Sequence, residues 1–303
     1  LSSRHHPEAW VKGGFFQIDK LPMFNSEALD NLMEYLTLRV GHFEINYGDA
    51  HFRRTDNGNA MYNPFVGNYI TDAFTTEIGG EVYFHSGPFM LMGGITGGEI
   101  RGQVVRPDDR APSFLGKIGY DAFVTPDLRV RLTGSAYTTA KSMNNTLPSG
   151  DRAGSRYYDV VEGGDYSGRV HPNMRDKITA VQINPFIKFQ GLELFGVIEQ
   201  ISGRLASETE DRSWSQYAAE AIYRFGANEQ LYVGGRYNVA SGELPGGADV
   251  SVDRINVGGG WFLTRNVLAK IEYVSQNYND FRPSDVRHGA SFSGVMIEGV
   301  VAF

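Results

Sequence analysis

The sequence lacks features that define several classes of protein. Its 303 residues include no cysteine, which excludes disulfides, thiolate metal sites and cysteine nucleophiles. It has no apolar run near the roughly 18–20 residues that a membrane-spanning helix needs, and a stretch such as 89–92 is among its longest. Basic residues are outnumbered and the formal net charge is −7, so we expect no nucleic-acid partner.

Glycine and alternating hydrophobicity are abundant instead. The chain has 37 glycines, a share well above the usual ~7%. Within 128–136, Leu128 and Val130 fall on one face of an extended chain, and Arg129 and Arg131 fall on the other. A period of two predicts a half-buried β-strand. Glycines inside such segments weaken a flat soluble sheet and suit a curved barrel wall.

The same pattern recurs along the whole chain and predicts thirteen strands. Many of them reach the length of about 9–11 residues that a tilted strand needs to cross a bilayer. The predicted strands are 9–18, 35–47, 73–85, 89–100, 114–125, 128–139, 177–190, 192–202, 214–226, 231–241, 253–263, 267–277 and 290–303.

The connections between these strands alternate in length. Short turns fall at 85–88, 125–128, 190–193, 226–230 and 263–266, and long polar stretches fall at 48–72, 101–113, 140–176, 202–213, 241–252 and 277–289. Short periplasmic turns opposite long extracellular loops are typical of outer-membrane barrels. We therefore predict an all-β fold, an antiparallel transmembrane β-barrel formed by 1–303 as a single domain.

Two segments carry a resemblance to known proteins. The chain ends in an alternating strand closed by Phe303, similar to the C-terminal signature of Gram-negative outer-membrane proteins. Residues 39–48, RVGHFEINYG, resemble a strand of general and phosphate-selective porins, the sixteen-stranded porin O/P-like family. In that family the strand precedes the long loop that folds into the pore. Where the family has Pro-Phe-Gly, this chain has Asn46, Tyr47 and Gly48.

The strand count fits that resemblance. In sixteen-stranded porins this strand is the fifth, which makes 9–18 the fourth and implies three further strands before it. Bacterial single-chain barrels have even strand numbers, and sixteen satisfies that rule. The alternative is that 9–18 is not a wall strand. A separate segment at 24–36 predicts a short helix capped by Asn25 or Ser26 on the periplasmic side.

If the apolar faces contact lipid, the charged faces line the lumen. We predict a pore constriction in loop 48–72, because rings of charged side chains set the selectivity of channels. Its candidate residues are Asp49, His51, Arg53, Arg54 and Asp56. The candidate residues of the pore wall are Arg39, Lys117, Arg129, Arg131, Arg224 and Arg236.

These observations predict a porin of the outer membrane, through which small polar or anionic solutes diffuse passively. The sequence contains no nucleophile elbow, zinc-protease motif or phosphate loop, so we expect no catalytic residue, metal or cofactor. Expected partners are membrane lipids and lipopolysaccharide, the solutes and, by the resemblance, two further copies in a homotrimer. Two alternatives stay open, a barrel enzyme of the lipase or protease type and a plugged barrel that acts as a receptor or scaffold.

Overall fold

The structure is a computed structural model that describes residues 13–54, 59–72, 75–99, 110–150, 157 and 168–302. Among these residues no helix is both long and apolar enough to cross a membrane. The predicted terminal Phe303 and residues 9–12 of the first predicted strand lie outside the described residues.

Thirteen strands form one antiparallel sheet in the described part of the chain, which confirms the predicted number. Each strand pairs with its neighbours in the sequence, so the order runs from β1 to β13 without a crossover. The strands are β1 (Gly14–Ile18), β2 (Leu36–Glu44), β3 (Thr76–Ser86), β4 (Phe89–Glu99), β5 (Ser113–Thr125), β6 (Leu128–Thr139), β7 (Lys177–Phe189), β8 (Leu192–Arg204), β9 (Arg212–Phe225), β10 (Leu231–Leu244), β11 (Ala248–Thr264), β12 (Val267–Asn279) and β13 (Ser291–Val301).

The two faces of the sheet have the polarity of a membrane barrel. Consecutive residues of β5 illustrate it, since Ile118 is 62% exposed and Lys117 is 2% exposed. The exposed face is apolar on neighbouring strands too, as at Val82 and Leu132. Charged side chains on the concave face would be too costly in a dry core, whereas a water-filled lumen accepts them.

The short turns fall where they are predicted, and two of the predicted long loops need correction, while most of the predicted loop 101–113 lies outside the described residues. Five short turns lie at one end of the sheet and join β3 to β4, β5 to β6, β7 to β8, β9 to β10 and β11 to β12. The predicted long loop at 241–252 is wrong, because β10 and β11 continue through it with Ser241 opposite Ser251. Backbone pairing continues this hairpin beyond the apolar belt, where polar and apolar residues no longer alternate. Gly246 and Gly247 adopt positive φ in its turn. The loop at 202–213 shortens to 205–211 for the same reason.

The predicted short helix is present as α1 (Glu27–Met33) between β1 and β2. Its N-cap is Ser26, whose side chain accepts a hydrogen bond of 3.5 Å from the amide of Leu29. An N-cap oxygen satisfies an amide that has no partner inside the helix, which explains why the helix begins there.

Two connections fold inward and build an apolar core inside the barrel. One is the inner loop between β2 and β3, described at 45–54 and 59–72. The other is the second loop between β6 and β7, described at 140–150, 157 and 168–176. The core formed by these loops and the inward faces of the strands includes Ile45, Tyr47, Ile70, Leu147, Val170, Met174, Ile178, Trp214, Val252 and Tyr278. The two loops thus occupy part of the lumen.

Candidate solute passage in the barrel lumen

The inner loop leaves the wall after β2 and is fixed first to β5 and β6. Asp49 forms ion pairs with Lys117 at 2.8 Å and Arg131 at 3.0 Å. It also accepts a hydrogen bond of 2.8 Å from Thr133. A carboxylate with three donors ties the start of the loop to two adjacent strands.

Gly48 permits the turn before that anchor. Its φ is +70°, a conformation that residues with a Cβ avoid. A Cβ at this position would lie 1.8 Å from Oε1 of Gln182 on β7. The backbone carbonyl of Gly48 accepts a further bond of 2.7 Å from Lys117. The positive φ, and the displacement of the Gln182 side chain that a Cβ would require, favour glycine at this turn.

The far part of the inner loop is fixed to the opposite strands. Lys270 on β12 donates to three loop carbonyls, and the carboxylate of Glu272 accepts the amide of Val66 at 2.6 Å. Arg236 on β10 donates to the carbonyl of Gly67, and Arg254 on β11 donates to that of Asn68. A loop held by β5, β6 and β10–β12 at once requires the sheet to curve around it as a barrel wall.

Open space remains on the other side of the inner loop. Three cavities of about 780, 320 and 460 Å³ share Arg131 among their lining residues. The largest is lined by β1–β6 together with the loop, and the one of 460 Å³ lies between the loop and β6–β8. These cavities beside the inner loop form the candidate passage.

Two clusters of ion pairs lie beside the inner loop, and each includes an arginine that lines a cavity. Lys117 and Arg131 share the carboxylate of Asp49. In the second cluster, Arg53 at 2.7 Å and Arg236 at 2.7 Å share the carboxylate of Glu220. The most exposed side chain of each cluster is an arginine, Arg131 in the first and Arg53 in the second.

The exposed fractions of the side chains quantify that difference. The side chain of Arg131 is 31% exposed, against 6% for Asp49. Arg129 and Asp121, which pair at 2.6 Å, are equally exposed, at 37% and 36%. The greater exposure of guanidinium groups therefore holds for the two clusters, at Arg131 and Arg53.

Two titratable groups of the inner loop have shifted pKa values. Burial raises the pKa of Asp49, but Lys117 and Arg131 lower it by more, so the net direction is downward. Burial lowers the pKa of His51 against the opposing effect of Glu44, whose Oε1 lies 3.4 Å from Nδ1 of the ring. Near neutral pH Asp49 is an anion and His51 is neutral.

The predicted constriction residues do not all face the passage. Asp49 and Arg53 line the cavity of 460 Å³, and His51 lines the largest one. Arg54 is buried beside Glu44, although it follows Arg53 directly. Asp56 lies outside the described residues.

The predicted residues of the pore wall also divide into those that line the cavities and those that do not. Arg39, Lys117, Arg129 and Arg131 line the cavities. Arg224 pairs with Glu193 at 2.9 Å, and Arg236 is buried beneath the inner loop, so these two hold structure together.

Several residues of the passage were not predicted from the sequence. The rings of Phe52 and Tyr62 on the inner loop are exposed toward the cavities. Phe186 and Phe195 line the opposite side, and the guanidinium of Arg53 lies 4.7 Å from the ring centroid of Phe195. Aromatic residues are common in strands, and no local signal separates these from the others.

No protein-family model matches the sequence, and a search of curated proteins finds no match either. Among solved structures, the chain is similar to an anion-selective porin from Comamonas acidovorans. The match has a TM-score of 0.55 and 14% identity, and it covers 89% of this chain and 75% of that one. The fold is that of an outer-membrane porin.

A second similar structure is the trimer form of OmpT, an outer membrane protein of Vibrio cholerae. That match has a TM-score of 0.50 and 10% identity, and it covers 88% of this chain and 77% of that one. This fold, together with the apolar belt, confirms the predicted antiparallel membrane barrel and its outer-membrane location. The sixteen-strand count and the phosphate-selective family stay predictions.

Proposed function

We propose that the protein is a passive channel of the outer membrane that favours small anions. The observation that carries the proposal is the lining of the cavity of 460 Å³, where Arg53, Arg129 and Arg131 outnumber the carboxylate of Asp49. A basic constriction concentrates anions and repels cations. The name of the similar porin from Comamonas acidovorans, which describes it as anion-selective, supports the same direction.

The constriction that we propose consists of Asp49, Arg53 and Arg131, with Arg129 beside them. Arg53 extends from the inner loop to Glu220 on β9, and Arg129 and Arg131 project from β6. The aromatic rings of Phe52 and Tyr62 narrow the remaining space. Small solutes would pass between these rings and the strand wall.

A channel without catalysis fits the lumen better than an enzyme does. Among the described residues, the ring of His51 lies beside the carboxylate of Glu44, at 3.4 Å, and forms no hydrogen bond with a serine hydroxyl of the kind that a catalytic triad requires. Within the same residues, no three His, Asp or Glu side chains are arranged to hold a metal ion. We therefore propose passive diffusion as the activity.

A plugged barrel that serves as a receptor is the second candidate. The filling of the lumen by the inner loop and the second loop favours it. The cavities that remain beside the inner loop favour the channel. In either case we propose membrane lipids and lipopolysaccharide as partners. We also propose a homotrimer, which the trimer form of the similar OmpT supports.

A planar-bilayer recording tests the proposal. The protein is inserted into a bilayer that separates two KCl solutions of tenfold different concentration, and the reversal potential is measured. We expect stable openings and a reversal potential that is displaced from zero toward the equilibrium potential of chloride. A displacement toward the equilibrium potential of potassium contradicts the anion preference. The absence of openings at every voltage supports the plugged barrel instead.

A further inference from the structure

The segment between β1 and β2 carries an apolar surface that the solute passage does not use. In α1 the acidic residues Glu27 and Asp30 lie on one side of the helix. The opposite side is apolar and consists of Ala28, Leu29, Leu32 and Met33. Leu32 is 49% exposed, and Phe24 in the preceding 3-10 turn is 61% exposed. The helix is thus amphipathic. On its apolar side Met33 is buried and Leu29 is half-buried, whereas Ala28 and Leu32 are left exposed by the described residues.

This surface adjoins the apolar belt of the barrel. The ring of Tyr35, which follows the helix, stacks on Phe84 with 6.1 Å between centroids and 23° between planes. Phe84 lies on the lipid-facing side of β3, and the amide of His85 donates a 2.8 Å bond to the carbonyl of Tyr35. The helix is therefore attached where the belt ends on the short-turn side.

The helix is attached at the end of the sheet where exposed aromatic side chains form a girdle. On the next strands, Phe89 packs against Tyr120 with 5.3 Å between ring centroids, at the same short-turn end of the sheet. Aromatic rings concentrate at the boundary between headgroups and acyl chains. An amphipathic helix at this boundary places its apolar side in the acyl region and its charges in water.

We propose that α1 and the turn before it form an interfacial anchor that lies on the inner leaflet of the outer membrane. The occupant of the apolar side is the lipid surface itself. Continuity with the belt through Tyr35 and Phe84 carries the proposal, and the acidic side agrees with it because acids avoid the acyl region. The anchor is independent of the solute that the channel carries.

The absence of native cysteine makes spin labelling a direct test. A nitroxide is attached to Leu32→Cys, and separately to Asp30→Cys, which lies about 160° away around the helix. A label at Ile118→Cys provides the lipid-facing reference. Each labelled protein is reconstituted in phosphatidylethanolamine–phosphatidylglycerol vesicles. Collision rates with oxygen, which concentrates in the acyl region, and with a water-soluble nickel chelate are then measured.

We expect the label at Leu32 to behave as the label at Ile118 does, with frequent oxygen collisions and few nickel collisions, and the label at Asp30 to show the reverse. Equal nickel accessibility at Leu32 and Asp30 would overturn the proposal, because the apolar side would then face water. Exclusion of both reagents at Leu32 would also overturn it, because protein, such as a second copy, would then cover that side. Circular dichroism checks folding, and Phe24→Cys gives a second position on the surface.

Discussion

Replacing Arg131 by glutamine removes one cation from the centre of the passage without leaving a buried charge unpaired. Its partner Asp49 keeps the ion pair with Lys117 at 2.8 Å, so the anchor of the inner loop survives. Arg131 lines all three cavities, and its side chain contacts the lumen water. The variant should therefore change selectivity and leave the fold intact.

Coulomb's law gives the size of the change. For an anion about 5 Å from the guanidinium in water, the attraction is about 0.8 kcal/mol, and screening at about 0.1 M salt reduces it to about 0.5 kcal/mol. That energy concentrates anions and depletes cations by about twofold each. The chloride-to-potassium permeability ratio should thus fall about fivefold in Arg131→Gln. Near 1 M salt, where the Debye length is about 3 Å, the change should shrink to under about twofold.

The assay is the reversal potential of wild-type and variant channels under KCl gradients at low and high salt. Lys177→Gln is the matched control, because it also removes one cation but lies on the lipid-facing side of β7, paired with Asp211 at 2.6 Å. An unchanged ratio in Arg131→Gln, or an equal change in Lys177→Gln, would refute the reasoning.

Three further predictions concern the loops. Gly48→Ala should destabilise the protein by about 1–2 kcal/mol in urea unfolding, because its φ of +70° is strained for a residue with a Cβ, whereas Gly14→Ala, with open space, should not. Glu272→Gln should weaken the inner loop by about 1.5–3 kcal/mol and speed its cleavage by protease, and equal cleavage rates would contradict this. Burial and nearby arginines lower the pKa of His171 to about 4, so at pH 5 the unfolded chain binds a proton at this histidine and the folded protein does not. Between pH 7 and pH 5 the free energy of unfolding of the wild type should therefore fall by about 2 kcal/mol more than that of His171→Asn. Urea unfolding of both proteins at both pH values measures the difference.

The wall of the barrel could be predicted from the sequence because its signal is local. Alternation in β6 and β12 reports directly which side chains meet lipid, and short turns mark where strands reverse. The signal weakens where both faces meet water, which is why the β10–β11 hairpin extends through the predicted loop at 241–252. The cap of α1 at Ser26 is equally local.

The interior of the barrel could not be predicted, because it depends on contacts between distant residues. The amide of Val66 and the carboxylate of Glu272 are 206 positions apart, and nothing near either residue identifies the other. Arg53 and Arg54 are neighbours in the sequence, yet one lines the passage and the other is buried. Their difference follows from the 3-10 turn Ala50–Arg53, which ends between them.

The most direct test of the proposed open anion passage is chemical modification of its wall during a recording. Tyr62→Cys places the only thiol of the chain on the inner loop, where it lines the cavity of 460 Å³. A negatively charged methanethiosulfonate reagent should react there and lower the chloride current, and a positively charged one should react more slowly. A chloride current that stays unchanged after mass spectrometry shows complete modification would contradict the account, because ions would then cross elsewhere.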